Sequence, residues 1–129
     1  MSSSTAVRYS KSHEWARDEG DGTFTVGITD FAQSKLGDIV YVGLETKSDT
    51  LSVGDRFGSI DSTKSSSDLY APVSGTVVGR NAELDAAPEL VNSDPQGGGW
   101  MIRVSADSSQ DFMALMDEDA YGVHCAAEH

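Results

Sequence analysis

The segment GSIDSTKSSSDLYAPVSG, residues 58–75, places Lys64 among small hydroxylated residues. Gly54 lies ten positions before this lysine and Gly75 lies eleven positions after it, and each glycine borders a short β-prone run. The run before the lysine is RFGSID, and the run after it is TVVG. We expect these two arms to pair as antiparallel strands, with the glycines at the far ends where the chain bends. Lys64 then stands at the tip of a turn and projects from the molecule.

No other basic residue lies between Arg56 and Arg80, so Lys64 is isolated from other cations. A catalytic lysine usually requires burial or a neighbouring cation that favours the free amine, and this segment supplies neither. With Asp61 and Asp68 nearby we expect an exposed, protonated amine, which argues against a Schiff-base nucleophile. The ordinary interpretation is a solvated loop lysine. The alternative is an amine that another enzyme reaches and acylates, because no flanking side chain is large enough to shield it.

The remaining pattern predicts a mainly β domain. β-Branched and aromatic residues mark strands at TFTVGIT (residues 23–29), IVYVGL (39–44) and WMIRVSA (100–106). The 13 glycines suit short strands and tight turns better than a helical bundle. Between the first two strands, DFAQSKLGD predicts one or two helical turns from an N-cap at Asp30 to a terminating Gly37.

Two further segments lie in the second half of the chain. Residues 82–95 contain two prolines and several acids, which predicts a surface excursion with a single helical turn. Beyond the last strand, an apolar stripe at helical spacing follows a capping pair, which predicts a helix packed over one edge of the sheet. A partner-binding helix is the other interpretation. The stripe consists of Phe112, Leu115 and Met116, and the capping pair is Ser108 with Asp111.

Length and composition limit the classes of function that the chain can have. A chain of 129 residues usually makes one domain. The 21 acidic and 9 basic residues give a formal net charge of −12, which repels nucleic acid phosphates and anionic lipid. No apolar run approaches the length that spans a bilayer. We therefore expect no nucleic-acid or membrane partner, and an acidic surface that either steers the protein toward cationic patches on other proteins or keeps it soluble.

Other candidate sites are weaker. His13 and Glu14 are adjacent, so in a strand they point to opposite faces and form no acid–base pair. Cys125 is the single cysteine, which leaves no partner for an intrachain disulfide. His124, Cys125 and His129 lie in a polar tail for which we expect disorder rather than a metal site.

Five segments together resemble one known family, the H proteins of the glycine cleavage system. The segment around Lys64 resembles the family's lipoyl-attachment site, and the other four look like the family in the same order along the chain. The five segments are YSKSHEW (9–15), TVGITDFAQSKLGDIVYVGL (25–44), SIDSTKSSSDLYAPVSGTV (59–77), ELVNSDPQGGGWMIRV (89–104) and DEDAY (117–121).

The resemblance implies a lipoyl-carrier domain over residues 9–121, between a flexible N-terminal segment (1–8) and a polar tail (122–129). The implied fold is a sandwich of two small antiparallel sheets, a barrel-sandwich hybrid, with short helices and a C-terminal helix. Lipoate is the implied cofactor, joined covalently to Lys64. The protein is then a carrier and not an enzyme, and we expect a monomer.

The resemblance also implies the partners. A pyridoxal-phosphate glycine decarboxylase would transfer the aminomethyl group of glycine to the lipoyl arm, and a folate-dependent aminomethyltransferase would take the one-carbon unit. Dihydrolipoamide dehydrogenase would reoxidise the arm, and a lipoate-attaching enzyme would load Lys64. A tethered arm suits this sequence because it raises the effective concentration of the cargo at each active site.

The family's site residues match this sequence at some positions and differ at others. Glu14 and Asp68 would line the cleft that shelters the aminomethylated arm, since a desolvated ammonium requires such acceptors. Asp61, where the family commonly has glutamate, would be recognised by the attaching enzyme. Phe31 stands where many members have a histidine, and Thr63 stands where they have valine.

The sequence leaves two alternative functions open. The first is a lipoyl or biotinyl carrier module of another complex, although the MKM context of biotin acceptors is missing. The second is an unmodified lipoate-relay or regulatory module that docks through the same acidic surface. The Ser- and Arg-containing start of the chain favours the mitochondrial matrix over a bacterial cytoplasm.

Overall fold

The computed structural model describes residues 7–44, 50–106 and 110–127. Within these ranges the chain forms short strands and five short helices. The strands are β1 (Val7–Tyr9), β2 (Glu14–Asp18), β3 (Thr23–Ile28), β4 (Ile39–Leu44), β5 (Thr50–Leu51), β6 (Arg56–Ser62), β7 (Ser66–Tyr70), β8 (Gly75–Arg80) and β9 (Ile102–Ala106). The helices are α1 (Asp30–Leu36), α2 (Glu83–Ala86), α3 (Leu90–Ser93), α4 (Gln110–Met113) and α5 (Glu118–Ala127).

The strands form two antiparallel sheets that share one core. One sheet has the order β1-β2-β3-β9-β8-β5, and the other has the order β4-β6-β7. Inward side chains of both sheets belong to one buried cluster, which contains Val26 and Val104 of the larger sheet and Phe57 and Ile60 of the smaller sheet. This arrangement confirms the predicted mainly β fold with two small antiparallel sheets, short helices and a C-terminal helix.

The hairpin around Lys64 is confirmed, but one of its arms differs from the expectation. Strand β6 pairs antiparallel with β7, and Asp61 lies opposite Ser66. The TVVG run instead forms β8 in the other sheet, where it pairs with β5 and β9. The hairpin is therefore shorter than the spacing of Gly54 and Gly75 suggested. At Gly75 a side chain would collide with the backbone of Ser105, so this glycine permits the close approach of β8 and β9.

The N-cap of helix α1 lies one residue before the predicted position. Thr29 is the N-cap, and its hydroxyl accepts a hydrogen bond from the amide of Ala32, whereas Asp30 is the first helical residue. Gly37 ends the helix at φ +84°, as predicted, and its amide donates to the carbonyl of Gln33. The short connection to β4 brings the end of α1 close to the lysine hairpin.

Residues 82–95 are more ordered than the sequence suggested. They form two helical turns, α2 and α3, rather than one. Each turn inserts one side chain into the core, Leu84 from α2 and Val91 from α3, and both side chains are buried. The segment is therefore anchored against the sandwich instead of lying on its surface.

The predicted helix through Phe112, Leu115 and Met116 is wrong in its extent. Helix α4 ends at Met113, and Met116 pairs with Tyr9 through reciprocal backbone hydrogen bonds of 2.8 and 2.9 Å. These long-range bonds replace helical bonds, so the apolar stripe is divided between a short helix and a β-bridge. The proposed cap at Ser108 lies outside the described residues.

The C-terminal helix α5 occupies part of the segment expected to be a polar tail. It continues to Ala127, so His124 and Cys125 lie on an ordered helix, while His129 lies outside the described residues. Tyr121 of α5 stacks on Tyr9, with ring centroids 4.5 Å apart, and joins a second buried cluster with Trp15. None of the helices in the described ranges combines the length and apolarity that a membrane crossing requires.

Candidate functional site

The turn that carries Lys64 is built by Ser62. The amide of Ser62 donates to the carbonyl of Ser65 at 2.8 Å, and the Ser62 hydroxyl oxygen accepts from the amides of Lys64 (3.2 Å) and Ser65 (3.1 Å). Small hydroxylated residues favour such side-chain-to-backbone turns. In the sequence these serines were recognisable only as small neighbours of Lys64, although their position at a hairpin tip is the signal of a turn.

A second contact fixes the turn to the body of the protein. The amide of Thr63 donates to the carbonyl of Asp38 at 3.0 Å, just before β4 begins. The side chain of Lys64 is exposed, and its methylene groups lie against Gly37, where a Cβ would come within 2.9 Å of Cε. The amine therefore extends from a fixed backbone across the end of α1.

The ammonium of Lys64 makes no ion pair within the described part of the chain. Its immediate neighbours Thr63, Ser65 and Ser66 are small and exposed, as the sequence predicted. An amine in this setting is open to an acylating enzyme from the solvent side.

A groove of about 330 Å³ lies beside the hairpin, between α1, the loop before β2 and strand β7. Its wall on α1 is largely apolar and ends at Leu36, the residue before the glycine that contacts Lys64. The lining residues are Ser12, His13, Phe31, Ala32, Lys35, Leu36 and Ser67. Its apolar wall and its position beside the hairpin suit a hydrocarbon arm that starts at Lys64.

Glu14 lies just behind the groove and is almost completely buried, with 1% of its surface exposed. Its carboxylate accepts hydrogen bonds from the hydroxyls of Ser10 (2.6 Å) and Ser12, and from the amide of Tyr70 (3.2 Å). Burial raises the pKa of the Glu14 carboxyl above its ordinary value, and these hydrogen bonds oppose the rise only in part. Glu14 also links the two sheets, because it belongs to β2 and Tyr70 belongs to β7.

Asp68 has different surroundings from Glu14. Its carboxylate is exposed and forms an ion pair with Arg56 at 3.0 Å, and the hydroxyl of Tyr70 donates to it at 3.3 Å. Tyr70 therefore contacts both acids, Glu14 through its amide and Asp68 through its hydroxyl. A shared cleft of Glu14 and Asp68 stays a prediction.

Asp61 lies in β6 beside the tip of the hairpin. It is half-buried and lies opposite Tyr41 on one side and Ser66 on the other. Its carboxylate has no hydrogen-bond or ion-pair partner in residues 7–44, 50–106 and 110–127. That an attaching enzyme recognises Asp61 stays a prediction.

Phe31 lines the groove on the α1 side. Its ring packs against His13 at a centroid distance of 4.8 Å, and the ammonium of Lys35 lies 5.3 Å from the ring centroid. His13 lies outside β2 at φ +71°, contrary to the expectation of a strand position, and its Nδ1 is 2.7 Å from the hydroxyl of Tyr121. Aromatic contacts and a hydrogen bond thus hold His13 between the groove and α5.

Comparison with known proteins agrees with the geometry of a carrier. The family model described as "Glycine cleavage H-protein" matches residues 7–128. The chain belongs to the glycine cleavage H-protein family. The match begins and ends outside residues 9–121, so it includes strand β1 and helix α5.

Relatives within the H-protein family match most of the chain. The glycine cleavage system H protein of Opitutus terrae is 52% identical over 116 residues, 90% of this chain and 91% of its own. That of Pseudoalteromonas atlantica is 50% identical over 115 residues, 89% of each chain. A crystal structure of the H protein from Mycobacterium marinum matches with a TM-score of 0.84 at 33% identity, covering 95% of this chain and 98% of that one.

Membership of the H-protein family confirms the predicted role as a carrier in glycine cleavage and not an enzyme. It does not favour a carrier module of another complex or an unmodified regulatory module. The relatives named above are bacterial, so they give no support to a mitochondrial location.

Proposed function

We propose that this protein carries lipoate in amide linkage on Lys64 and shuttles the aminomethyl group of glycine between enzymes. The observation that carries the proposal is the exposed amine at the tip of the β6–β7 hairpin, on a turn fixed by Ser62 and Asp38. Its small neighbours leave room for an acyl group and for the enzyme that attaches it. When bound, lipoate supplies a disulfide that accepts the aminomethyl group and ends as a dithiol.

The specific partners follow from this chemistry. We assign loading to the glycine decarboxylase, removal of the one-carbon unit to the aminomethyltransferase and reoxidation to dihydrolipoamide dehydrogenase. A lipoate-attaching enzyme must act first on Lys64. The bacterial relatives favour a bacterial cytoplasm over the mitochondrial matrix as the site of this cycle.

The groove beside α1 is the proposed resting place of the loaded arm. Its apolar wall on α1 excludes water from the hydrocarbon part of the arm, and Ser12 connects the groove to the buried carboxylate of Glu14. A cationic aminomethyl group at this end has the Ser12 hydroxyl as a direct acceptor, with the Glu14 carboxyl behind it, in a site that is poorly solvated. Asp68 is paired with Arg56 and lies outside the groove lining, so its part in holding the arm is indirect, through Tyr70. Phe31 replaces the polar contact of a histidine with an apolar wall.

Replacement of Lys64 tests the proposal directly. Lys64→Arg keeps the positive charge but cannot form the amide, so the variant should take up no lipoyl group and support no glycine cleavage with the purified partner enzymes. The measurements are intact mass after incubation with the attaching enzyme, and the rate of carbon dioxide release from glycine.

Lys11→Arg is the matched control, because Lys11 is also an exposed lysine of the described chain. It should gain one lipoyl group and support cleavage at the wild-type rate. Glycine cleavage by Lys64→Arg, or a lipoyl group on that variant, would show that Lys64 is not the attachment site.

A further inference from the structure

Two large apolar side chains are exposed directly beside the lysine turn. Val40 and Tyr41, near the start of β4, are 55% and 57% exposed. In the pairing of β4 with β6, Ile39 lies opposite Ser62 and Tyr41 lies opposite Asp61, and the register shifts between them at Val40. Val40 therefore stands at a β-bulge next to the residues that lead into the turn. Bulges of this kind redirect side chains and occur frequently beside functional sites.

The outward direction of Tyr41 is fixed by the strand that carries it. The next residue, Val42, is buried opposite Ile60, so Tyr41 must point away from the core. Its ring lies along the strand over Gly43, where a Cβ would come 3.0 Å from the ring and 3.3 Å from the hydroxyl. Gly43 thus lets the aromatic ring lie flat on the outer face of the β4-β6-β7 sheet. A flat, exposed tyrosine is the kind of anchor that protein interfaces favour.

Unpaired acids border the same surface. Asp38 precedes β4, and its carbonyl holds the lysine turn through the amide of Thr63. The carboxylates of Asp38 and Asp61 have no hydrogen-bond or ion-pair partner among the residues that the structure describes. We call the surface formed by Asp38, Val40 and Tyr41 the tip patch. It has an apolar centre and an acidic margin, on a chain with a formal net charge of −12.

We propose that the tip patch is the docking surface for the lipoate-attaching enzyme, an inference that rests on the proposed function. The enzyme transfers a lipoyl group from an activated acyl donor to Nζ of Lys64. The ammonium of Lys64 first loses a proton to give the free amine. The bond from Nζ to the acyl carbon then forms, the bond from that carbon to the phosphate oxygen of the acyl adenylate breaks, AMP leaves, and Nζ releases a second proton. Because this bond forms at Nζ itself, the active site of the attaching enzyme must reach the turn and meet the strand beside it.

The enzymes that use the finished arm have a different requirement. Their chemistry takes place at the far end of the arm, so their active sites need not contact the turn. The tip patch is therefore assigned to the attaching enzyme rather than to the decarboxylase, the aminomethyltransferase or the dehydrogenase. A complementary partner surface has an apolar recess for Tyr41 and basic residues opposite Asp38 and Asp61.

Initial rates of lipoylation test the assignment, with purified attaching enzyme, a lipoyl adenylate donor and intact-mass detection. Tyr41→Ser should lower kcat/KM for the protein substrate by about tenfold, chiefly through a higher KM, because it removes an aromatic anchor. Val40→Ser should lower it by about threefold, because it removes a smaller apolar contact. Tyr41→Phe keeps the ring and should stay within about twofold of wild type. Thermal unfolding of each variant verifies that the fold is intact.

Val78→Ser is the matched control, because Val78 on β8 has nearly the same exposed fraction as Val40, 56% against 55%. It should be lipoylated at the wild-type rate. Equal rates for Val40→Ser, Tyr41→Ser and Val78→Ser would overturn the assignment. So would normal lipoylation of the patch variants combined with slow glycine cleavage after full loading, since that result would place another enzyme on the patch. A lipoyl group on Lys64→Arg would instead contradict the proposed function, whatever the patch variants show.

Discussion

At the scale of single residues, Glu14 has the least ordinary environment among the site residues. Its raised pKa means that the folded protein holds the proton more tightly than the unfolded chain does. Below the ordinary value of 4.5 both states are protonated, so Glu14 adds no pH dependence. As the pH rises through 4.5, the unfolded chain loses its proton first, and the free energy of unfolding falls until the folded carboxyl is ionised as well.

Glu14→Gln should remove this fall in stability. The amide oxygen can still accept from the Tyr70 amide, and the amide group can face the serine hydroxyls, so the fold is expected to survive. Urea unfolding at a series of values from about pH 4 to about pH 8 measures the difference between variant and wild type. Relative to wild type, the variant should become more stable as the pH rises.

Glu118→Gln is the control for that series, because Glu118 is exposed on α5. It should follow the wild-type pH dependence. A Glu14→Gln curve parallel to wild type throughout would show that the buried carboxyl does not titrate differently in the folded state.

Ser62 determines the local order of the lysine turn. Ser62→Ala removes the acceptor for the amides of Lys64 and Ser65, and water replaces it at this exposed site. The free energy of unfolding should therefore fall by less than about 1 kcal/mol. Amide hydrogen exchange at Lys64 and Ser65 should become faster, as measured by NMR. Ser66→Ala, an exposed neighbour, should leave these two exchange rates unchanged.

At the scale of secondary-structure elements, α3 supports the hairpin through Asn92. The side-chain oxygen of Asn92 accepts from the amide of Ile39 at 2.8 Å, and its Nδ2 donates to Gln33 (2.8 Å) and to the carbonyl of Gly37 (2.9 Å). One side chain thus joins α3 to both ends of the α1–β4 connection. Since Asp38 in that connection holds the lysine turn, Asn92 positions the turn indirectly.

Asn92→Ala should lower the free energy of unfolding by about 1–3 kcal/mol, because the amide of Ile39 loses its partner in a partly buried place. The turn should also loosen, so the amide of Thr63 should exchange faster than in wild type. Urea unfolding and hydrogen exchange measure the two effects. Ser93→Ala in the same helical turn is the control, and an equal loss of stability in both variants would contradict the role of Asn92.

Most strands and helical turns could be predicted from the sequence, but the long-range pairing of the strands could not. The strands at 23–29 and 39–44 and the lysine hairpin follow from local patterns, because alternation and turn residues are local signals. The pairing of TVVG with β9 depends on a contact with the other end of the chain, which no local pattern contains. The same holds for Met116, whose backbone bonds Tyr9 instead of continuing a helix.

The residues of the candidate site differ in how well the sequence predicts them. Lys64 is evident from its isolation and its plain neighbours, and Glu14, Asp61 and Asp68 came from family resemblance alone. Asn92 and Tyr70 were not predicted, because each acts through contacts made by the fold. Asn92 lies in a segment that looks like a polar loop, and its role depends on the burial of Val91 beside it.

At the scale of the whole molecule, the formal net charge of −12 should influence every docking step. Attraction between an acidic carrier and basic patches on its partners raises the association rate, and dissolved salt screens that attraction. The rate of lipoylation should therefore fall as sodium chloride is raised from about 0.01 to about 0.5 M.

Asp38→Asn should weaken this salt dependence, because it removes one unpaired charge beside the turn. Asp119→Asn on α5 removes an exposed charge that does not border the tip patch, and it is the control. A wild-type rate that is independent of salt would show that the acidic surface contributes solubility and not steering.

The bridge between Tyr9 and Met116 has a consequence for biosynthesis. Strand β1 gains its contact with Met116 only after that residue has left the ribosome, and β3 gains its neighbour β9 only after Ile102 has done so. The β6–β7 hairpin, in contrast, joins residues that are close in the chain and can form during translation. A prematurely terminated product lacking β9 would expose the unpaired backbone groups of β3, and such an open edge favours aggregation.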